Sequence, residues 1–501
     1  MLGDTKFAEA QEFDPPAMPS LEKAIPADLV ERYRQLRDFD VAEMALVEST
    51  LKRPARLDAP AEATLRYALN LARLWVLPSN EGDLMVGPHI GPFRERVRRL
   101  ALAMARGIDD PYSLGPDAEA LRLHLDDAVE ALISRFTGRL RPSSLDSEMR
   151  NKALVLALGG GGGCGYVHLG AFSSFGRAGI EPRLVAGSSL GSILGLFRSR
   201  EVGYREATVR AVTHGLSFKK LFRVLESDVR YGFPGTLHLY LRSSFARFFT
   251  SELGNVMSLA DLPVPFIVTV TGVRREVLKK PFGSYEERLK RELRRGAFGA
   301  LLHLKDMAKS WAGLLEGLVE IEGALRPIPL GIDSDTSMFD AIDAVGFSCA
   351  LPALIHYDIL RDDARMHALV GKILERWDVD TLVDGGIGSN VPVRHAWEAV
   401  QRGRIGTRNV FFLGLDCFAP QLRRNMMFLP LQRIAAENVA VDRQFAHHVF
   451  SYKRVLSPAA LVPDPRHVEV AIHDGREEIE SILPLVKKVL EPLPPLTPTA
   501  A

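Results

Sequence analysis

Apolar residues recur at helical spacing through the first quarter of the chain. Leu29, Tyr33 and Leu36 form one set, Leu65, Leu69, Ala72 and Val76 a second, and Val97, Leu100 and Met104 a third. A fourth, opened by Asp117, runs through Leu121, Leu125, Val129 and Leu132. Residues three or four apart share one face of an α-helix, so each set predicts a helix with a buried stripe. Short loops with Pro and Gly separate the sets, and no strand pattern is convincing among them. Residues 21–150 therefore read as an all-helical N-terminal domain, with its linker at about 139–151. Residues 1–20, acidic and carrying Pro15, Pro16 and Pro19, read as a flexible N-terminal segment.

The period changes at residue 153. Ala153–Leu158 is an unbroken apolar run, the pattern of a strand buried on both faces in a parallel sheet. Apolar runs at 184–186, 265–270, 382–383 and 410–415 predict further strands, with helical segments between them. This alternation predicts a layered α/β domain with right-handed crossovers over residues 151–501. An insertion at about 274–340 departs from the pattern. Its first part, 274–295, holds nine Lys/Arg against four Glu. An amphipathic run from Phe298 through Trp311 to Leu318 follows. It reads as a helix packing on the domain, with a membrane-surface element as the other reading.

Charge and composition narrow the classes. Lys+Arg 63 against Asp+Glu 62 leaves +1, so no global field draws the chain to nucleic acid. Residues 153–176 carry no formal charge, yet eight of the 24 are glycine, which fits a strand and a backbone-rich turn better than a membrane span. The N-terminus has no apolar export core, and Cys164, Cys349 and Cys417 form neither a CxxC pair nor a disulfide framework. These features predict a cytoplasmic protein without signal peptide or transmembrane helix, with room for peripheral membrane contact. Oligomeric state is left open.

Three segments carry candidate chemistry. Gly160, Gly161, Gly162 and Gly163 follow the first α/β strand and lead into a helix. Consecutive N–H groups in such a loop can cradle an anion or oxyanion. The loop also contains a G-x-G-x-x-G, which by itself could mean dinucleotide binding. Gly187-Ser188-Ser189-Leu190-Gly191 has the G-x-S-x-G form, and only Ser189 fits its centre. Asp384, with Gly385 and Gly386, ends a later strand, where active-site loops leave a parallel sheet. Alone, Asp-Gly reads as a turn.

Together these segments resemble the patatin-like phospholipase family, in the family's order. Phe347-Ser-Cys-Ala-Leu-Pro352 is similar to its Ser-x-Ala-x-Pro segment, and Asn390 and Pro392 match its Asn-x-Pro. The resemblance spans about 151–420 and implies a three-layer α/β/α fold with a mostly parallel sheet. It implies a lipid acyl-ester hydrolase of the phospholipase A or lysophospholipase type. Ser189 would be the nucleophile, Asp384 its partner in a dyad, and Gly160 to Gly163 the oxyanion hole. No metal or cofactor is expected; the partner is a lipid or acyl-ester substrate. One departure is Cys164, where the family commonly has Arg or Lys; it reads as a small loop filler. His168 reads as a structural helix residue.

Other readings remain. Triacylglycerol lipase or lipid transacylase chemistry would use the same site, and a catalytically weak lipid-binding or scaffold protein could keep the fold. A Rossmann protein would want a carboxylate at the end of the second strand, which here ends Ala186-Gly187-Ser188. A Ser–Asp–His triad would recruit His447, His448, His467 or His473, with Asp384 or Asp416.

Overall fold

The computed structural model describes residues 25–79, 82–224, 229–251, 254–274, 323–420 and 428–495. In the N-terminal region the helices are α1 (Ala27–Lys52), α2 (Ala59–Arg73), α3 (Gly91–Arg106), α4 (Gly115–Arg135) and α5 (Pro142–Arg150). Between α2 and α3 the chain forms a two-stranded antiparallel hairpin, β1 (Val76–Ser79) and β2 (Gly82–Met85). The region is thus helical but not all-helical. Val76 pairs with Met85 instead of ending a helix, because α2 stops at Arg73.

The α/β part runs β3 (Ala153–Leu158), α6 (His168–Arg177), β4 (Pro182–Ser188), α7 (Ser189–Ser199), β5 (Phe222–Val224) and β6 (Gly235–Leu239). It continues with β7 (Phe266–Val273), β8 (Leu325–Leu330), α8 (Ala341–Ser348), β9 (Ala353–His356), β10 (Thr381–Val383) and α9 (Val393–Gln401). It closes with β11 (Val410–Asp416), β12 (His448–Ser451), α10 (Pro465–Ile479) and α11 (Leu483–Leu490). The central sheet has the order β10-β7-β4-β3-β11-β12, with β8 also on β7. Pairing is parallel from β7 through β12 and antiparallel where β8 and β10 meet β7. A smaller sheet, β5-β6-β9, stands beside it.

Alternation along β3 explains the layers. Leu154, Leu156 and Leu158 enter one core with Phe172 and Phe175 of α6 and Ile472 of α10. Val155 and Ala157 enter another with Ala396, Trp397 and Val400 of α9. Successive side chains of a strand point to opposite faces, so an unbroken apolar strand must be covered on both. The result is the expected three-layer α/β/α arrangement around a mostly parallel sheet.

A third core belongs to the N-terminal helices, through Leu65, Leu69, Val97, Leu121 and Leu125. Helix α1 contributes to all three: Leu29 and Tyr33 to the α9 side, Met44 and Val47 to the α6 side, Phe39 and Leu46 to the N-terminal core. The basic and amphipathic segments of the expected insertion at about 274–340, all but Arg274, fall on residues 275–322, outside the described residues. Its far end is not helical insertion, because Leu325–Leu330 is β8 in the central sheet. No helix among the described residues is long and apolar enough to cross a membrane.

Candidate active site

The site forms at the C-terminal ends of the parallel strands. β4 ends at Ser188 and α7 begins at Ser189, which takes φ +47°. A non-glycine residue in the left-handed region costs on the order of 1–2 kcal/mol and persists only where its surroundings hold it. Two contacts hold it here. The Ser189 N–H donates to Ser348 Oγ at 2.9 Å, and Ser348 Oγ–H donates to the Thr269 carbonyl at 2.6 Å. Gly187 and Gly191 allow the turn, since a Cβ on Gly187 would sit 2.7 Å from the Gly191 carbonyl oxygen. Ser189 itself is half-buried, within reach of a substrate.

Asp384 leaves the end of β10 and is buried. Ser189 Oγ donates to its Oδ2 at 2.7 Å, and the Gly386 N–H donates to Oδ1 at 2.8 Å. Gly385 packs on β7, where a Cβ would lie 2.0 Å from the Thr269 carbonyl oxygen. Burial pushes the Asp384 carboxyl up to about 6, partly offset by the bonds from Ser189 and Gly386. A carboxylate so desolvated is a stronger base than one in water, and it already holds the hydroxyl whose proton it would take.

The glycine loop divides in two. The Gly160 N–H donates to Asn390 Oδ1 at 3.1 Å, and the Gly163 N–H to the Pro458 carbonyl at 3.1 Å. Both glycines are buried. Gly161 and Gly162 are partly exposed, adopt φ +142° and +54°, and give their N–H groups no acceptor among the described residues. The expected four-residue cradle is therefore narrower. Two donors already serve the protein, and two are open to a ligand. His168 braces the loop from below, its Nε2 2.9 Å from the Gly159 carbonyl. Burial drives its pKa down to about 4, so the ring is neutral, and Nε2 carries the proton because a carbonyl only accepts. Its reading as a structural residue fits this place.

Cys164 is buried, with Sγ 3.1 Å from the Leu456 carbonyl, and burial pushes its thiol up to about 12. It fills space in the loop as a neutral group. A cleft opens at Ser189 and Gly162 and runs between Leu190, Leu194, Phe197, Val212, Leu239 and Phe245. Its lining is almost wholly apolar, and Cys349 sits beside its entrance.

None of the histidines proposed for a triad reaches the dyad. His447 accepts the Phe412 N–H at 3.0 Å and faces Asp40 at 3.4 Å. His448 lies on β12, while His467 and His473 sit on α10 beside Asp464 and Glu477. Asp416 binds the Phe418 N–H at 2.9 Å. Sequence reasoning assigned no role to Ser348 or to the Asn390 side chain. Both stood inside short motifs, but what they grip is backbone from distant strands, which no local spacing displays.

A mostly parallel sheet between two helical layers, with a serine raised on a strand–helix turn against a buried carboxylate, places the chain among three-layer α/β proteins with a serine–carboxylate site. Residues 156–397, just under half of the chain, match the family model of patatin-like phospholipases. Among curated proteins it is similar to lysophospholipase NTE1 of Cryptococcus neoformans var. neoformans serotype D, in strains JEC21 / ATCC MYA-565 and B-3501A. Each is 27% identical over 165 residues, covering 30% of this chain and 10% of the relative. The chain thus spans about a tenth of the length of these relatives.

Proposed function

We propose that the protein is a serine hydrolase of lipid acyl esters, of the phospholipase A or lysophospholipase type, working through Ser189 and Asp384. The observation that carries this reading is the 2.7 Å bond from Ser189 Oγ to a buried carboxylate at the mouth of an apolar cleft. As Ser189 attacks the ester carbonyl, its proton passes to Asp384 Oδ2. The carbonyl oxygen gathers negative charge and is met by the N–H groups of Gly161 and Gly162, with the α7 N-terminus adding its dipole. Collapse of the tetrahedral intermediate expels the alcohol, which takes the proton back from Asp384. Water then attacks the acyl-enzyme, giving a proton to Asp384, and collapse releases the fatty acid as that proton returns to Ser189 Oγ.

The cleft suits an acyl chain, since almost every lining group is apolar and Gly162, one of the two oxyanion donors, stands at its entrance. A lysophospholipid, with its one acyl chain, is the substrate this apolar cleft favours, and the similarity to a lysophospholipase points the same way. A fluorophosphonate probe should label Ser189 and fail to label Ser189→Ala. Lysophospholipid should be turned over faster than triacylglycerol. A folded protein that takes no label would end the hydrolase reading and leave a binding protein.

A further inference from the structure

The outer side of the cleft wall combines exposed cations with an exposed aromatic ring. Leu216, Leu221 and Phe222 line the cleft from within. On the one-turn helix between them, Phe218, Lys219 and Lys220 face outward, and Phe218 is 46% exposed although its ring lies 4.9 Å from that of Phe222. The surface continues through Arg223, stacked on Tyr240 at 4.4 Å, and Arg247, stacked on Phe248 at 4.6 Å. Residues 215–251 hold six Lys/Arg against two acids, Glu226 and Asp228, a net of +4. In a chain balanced at 63 against 62 this is a local excess of one sign. Arg242 spends its charge on Asp343. Lys219 and Lys220 have no ion-pair partner among the described residues.

We propose that this wall is the surface by which the protein docks on an anionic lipid bilayer. The proposal rests on the hydrolase reading above and adds to it the place where lipid enters. Exposed cations attract anionic head groups, and an aromatic ring among them settles at the head-group level. A soluble acidic protein would satisfy the lysines but give Phe218 no reason to stand exposed beside an acyl cleft. Because one thin wall separates the basic face from the cleft, an acyl chain would pass from bilayer to Ser189 over a short path.

The test uses full-length Ser189→Ala protein sedimented with phosphatidylcholine vesicles, with and without phosphatidylserine. Each basic side chain near an anionic bilayer is worth roughly a fivefold gain in binding. Binding should therefore require phosphatidylserine, weaken with salt, and fall by more than about tenfold when K219E and K220E are added. The milder K219Q/K220Q pair should show a smaller loss in the same direction. In the chain with Ser189 intact, K219E/K220E should hydrolyse soluble p-nitrophenyl butyrate at the unaltered rate, which shows that the site is folded. Unchanged vesicle binding in both lysine pairs, equal binding to neutral vesicles, or no vesicle binding at all would overturn the docking surface. A wild-type protein that binds vesicles but leaves p-nitrophenyl butyrate intact would overturn the hydrolase reading instead.

Discussion

In the proposed dyad, Asp384 would act as a base in a place that penalises its charge. Its carboxyl sits at about 6, above the ordinary value of 3.8, because burial outweighs the two hydrogen bonds it accepts. Only the ionised form can take the Ser189 proton, so kcat/KM should rise with pH through about 6 and level off above it. The same shift acts on stability. The native state holds this proton more tightly than the unfolded chain, so stability falls as pH climbs from about 4 to about 6. Two pKa steps amount to about 3 kcal/mol, and Asp384→Asn should recover up to that much at pH above about 7 and nothing below about 4. Chemical denaturation at the two pH values measures this, with hydrolysis lost throughout. Ser348 should act through geometry alone. Ser348→Ala should lower kcat by about tenfold to a hundredfold with KM little changed, and Ser348→Thr should restore part of it, because the αL turn at Ser189 loses its acceptor. Ser189 and Asp384 were legible because glycines at fixed offsets announce a turn, and a turn announces an exposed side chain. The division of the glycine loop was not, because it depends on Asn390 and Pro458, more than two hundred residues away in sequence.

Elements were legible where their period was long or their burial complete. β3 and β11 are apolar on both faces and stood out as unbroken runs. β8 did not, since Leu325-Arg-Pro-Ile-Pro-Leu330 carries two prolines. Proline lacks the N–H that a central strand needs, and β8 pairs with β7 alone among the described strands, which tolerates it. The hairpin β1–β2 was missed for its length, four residues a strand, too few for alternation to register. Helix contacts also hide in single small residues. α6 and α10 cross with their backbones touching, and a Cβ on Gly475 would lie 2.1 Å from the Val167 carbonyl oxygen. Gly475→Val should push α10 off α6 and cost about 3 kcal/mol or more by overpacking. The loss should appear in thermal unfolding, and ester turnover should fall with it, because α6 follows directly from the glycine loop.

At the scale of the molecule, the N-terminal helices are joined to the α/β layers by buried charge as well as apolar contact. Glu43 of α1 lies 2.8 Å from Lys152 at the start of β3, and 3.1 Å and 3.4 Å from Arg73 and Arg66 of α2. Burial alone would raise the Glu43 carboxyl, but Lys152, then Arg73 and Arg66, hold it well below the usual carboxylate range. This stabilisation is present above the ordinary Glu value and is lost as pH falls below it. Glu43→Gln would leave three buried cations short of a counter-charge, and about 3–5 kcal/mol of stability should go with it, read from denaturant midpoints at pH 7. None of this was visible in a sequence that showed only a helical stretch, a linker and an α/β stretch. Helical spacing identifies a buried stripe but not which partner buries it.

Helix α1 is buried against three cores at once, with Tyr33 wedged between Trp397 and Phe445 at ring distances of 5.6 Å and 4.8 Å. A boundary at residue 150 is therefore a boundary in composition, not in thermodynamics. Calorimetry of the intact chain should give a single heat-absorption peak, with no early shoulder from the helical part. A fragment starting at 151 would be born with an uncovered greasy seam along one sheet face, and it should precipitate where the whole chain stays in solution.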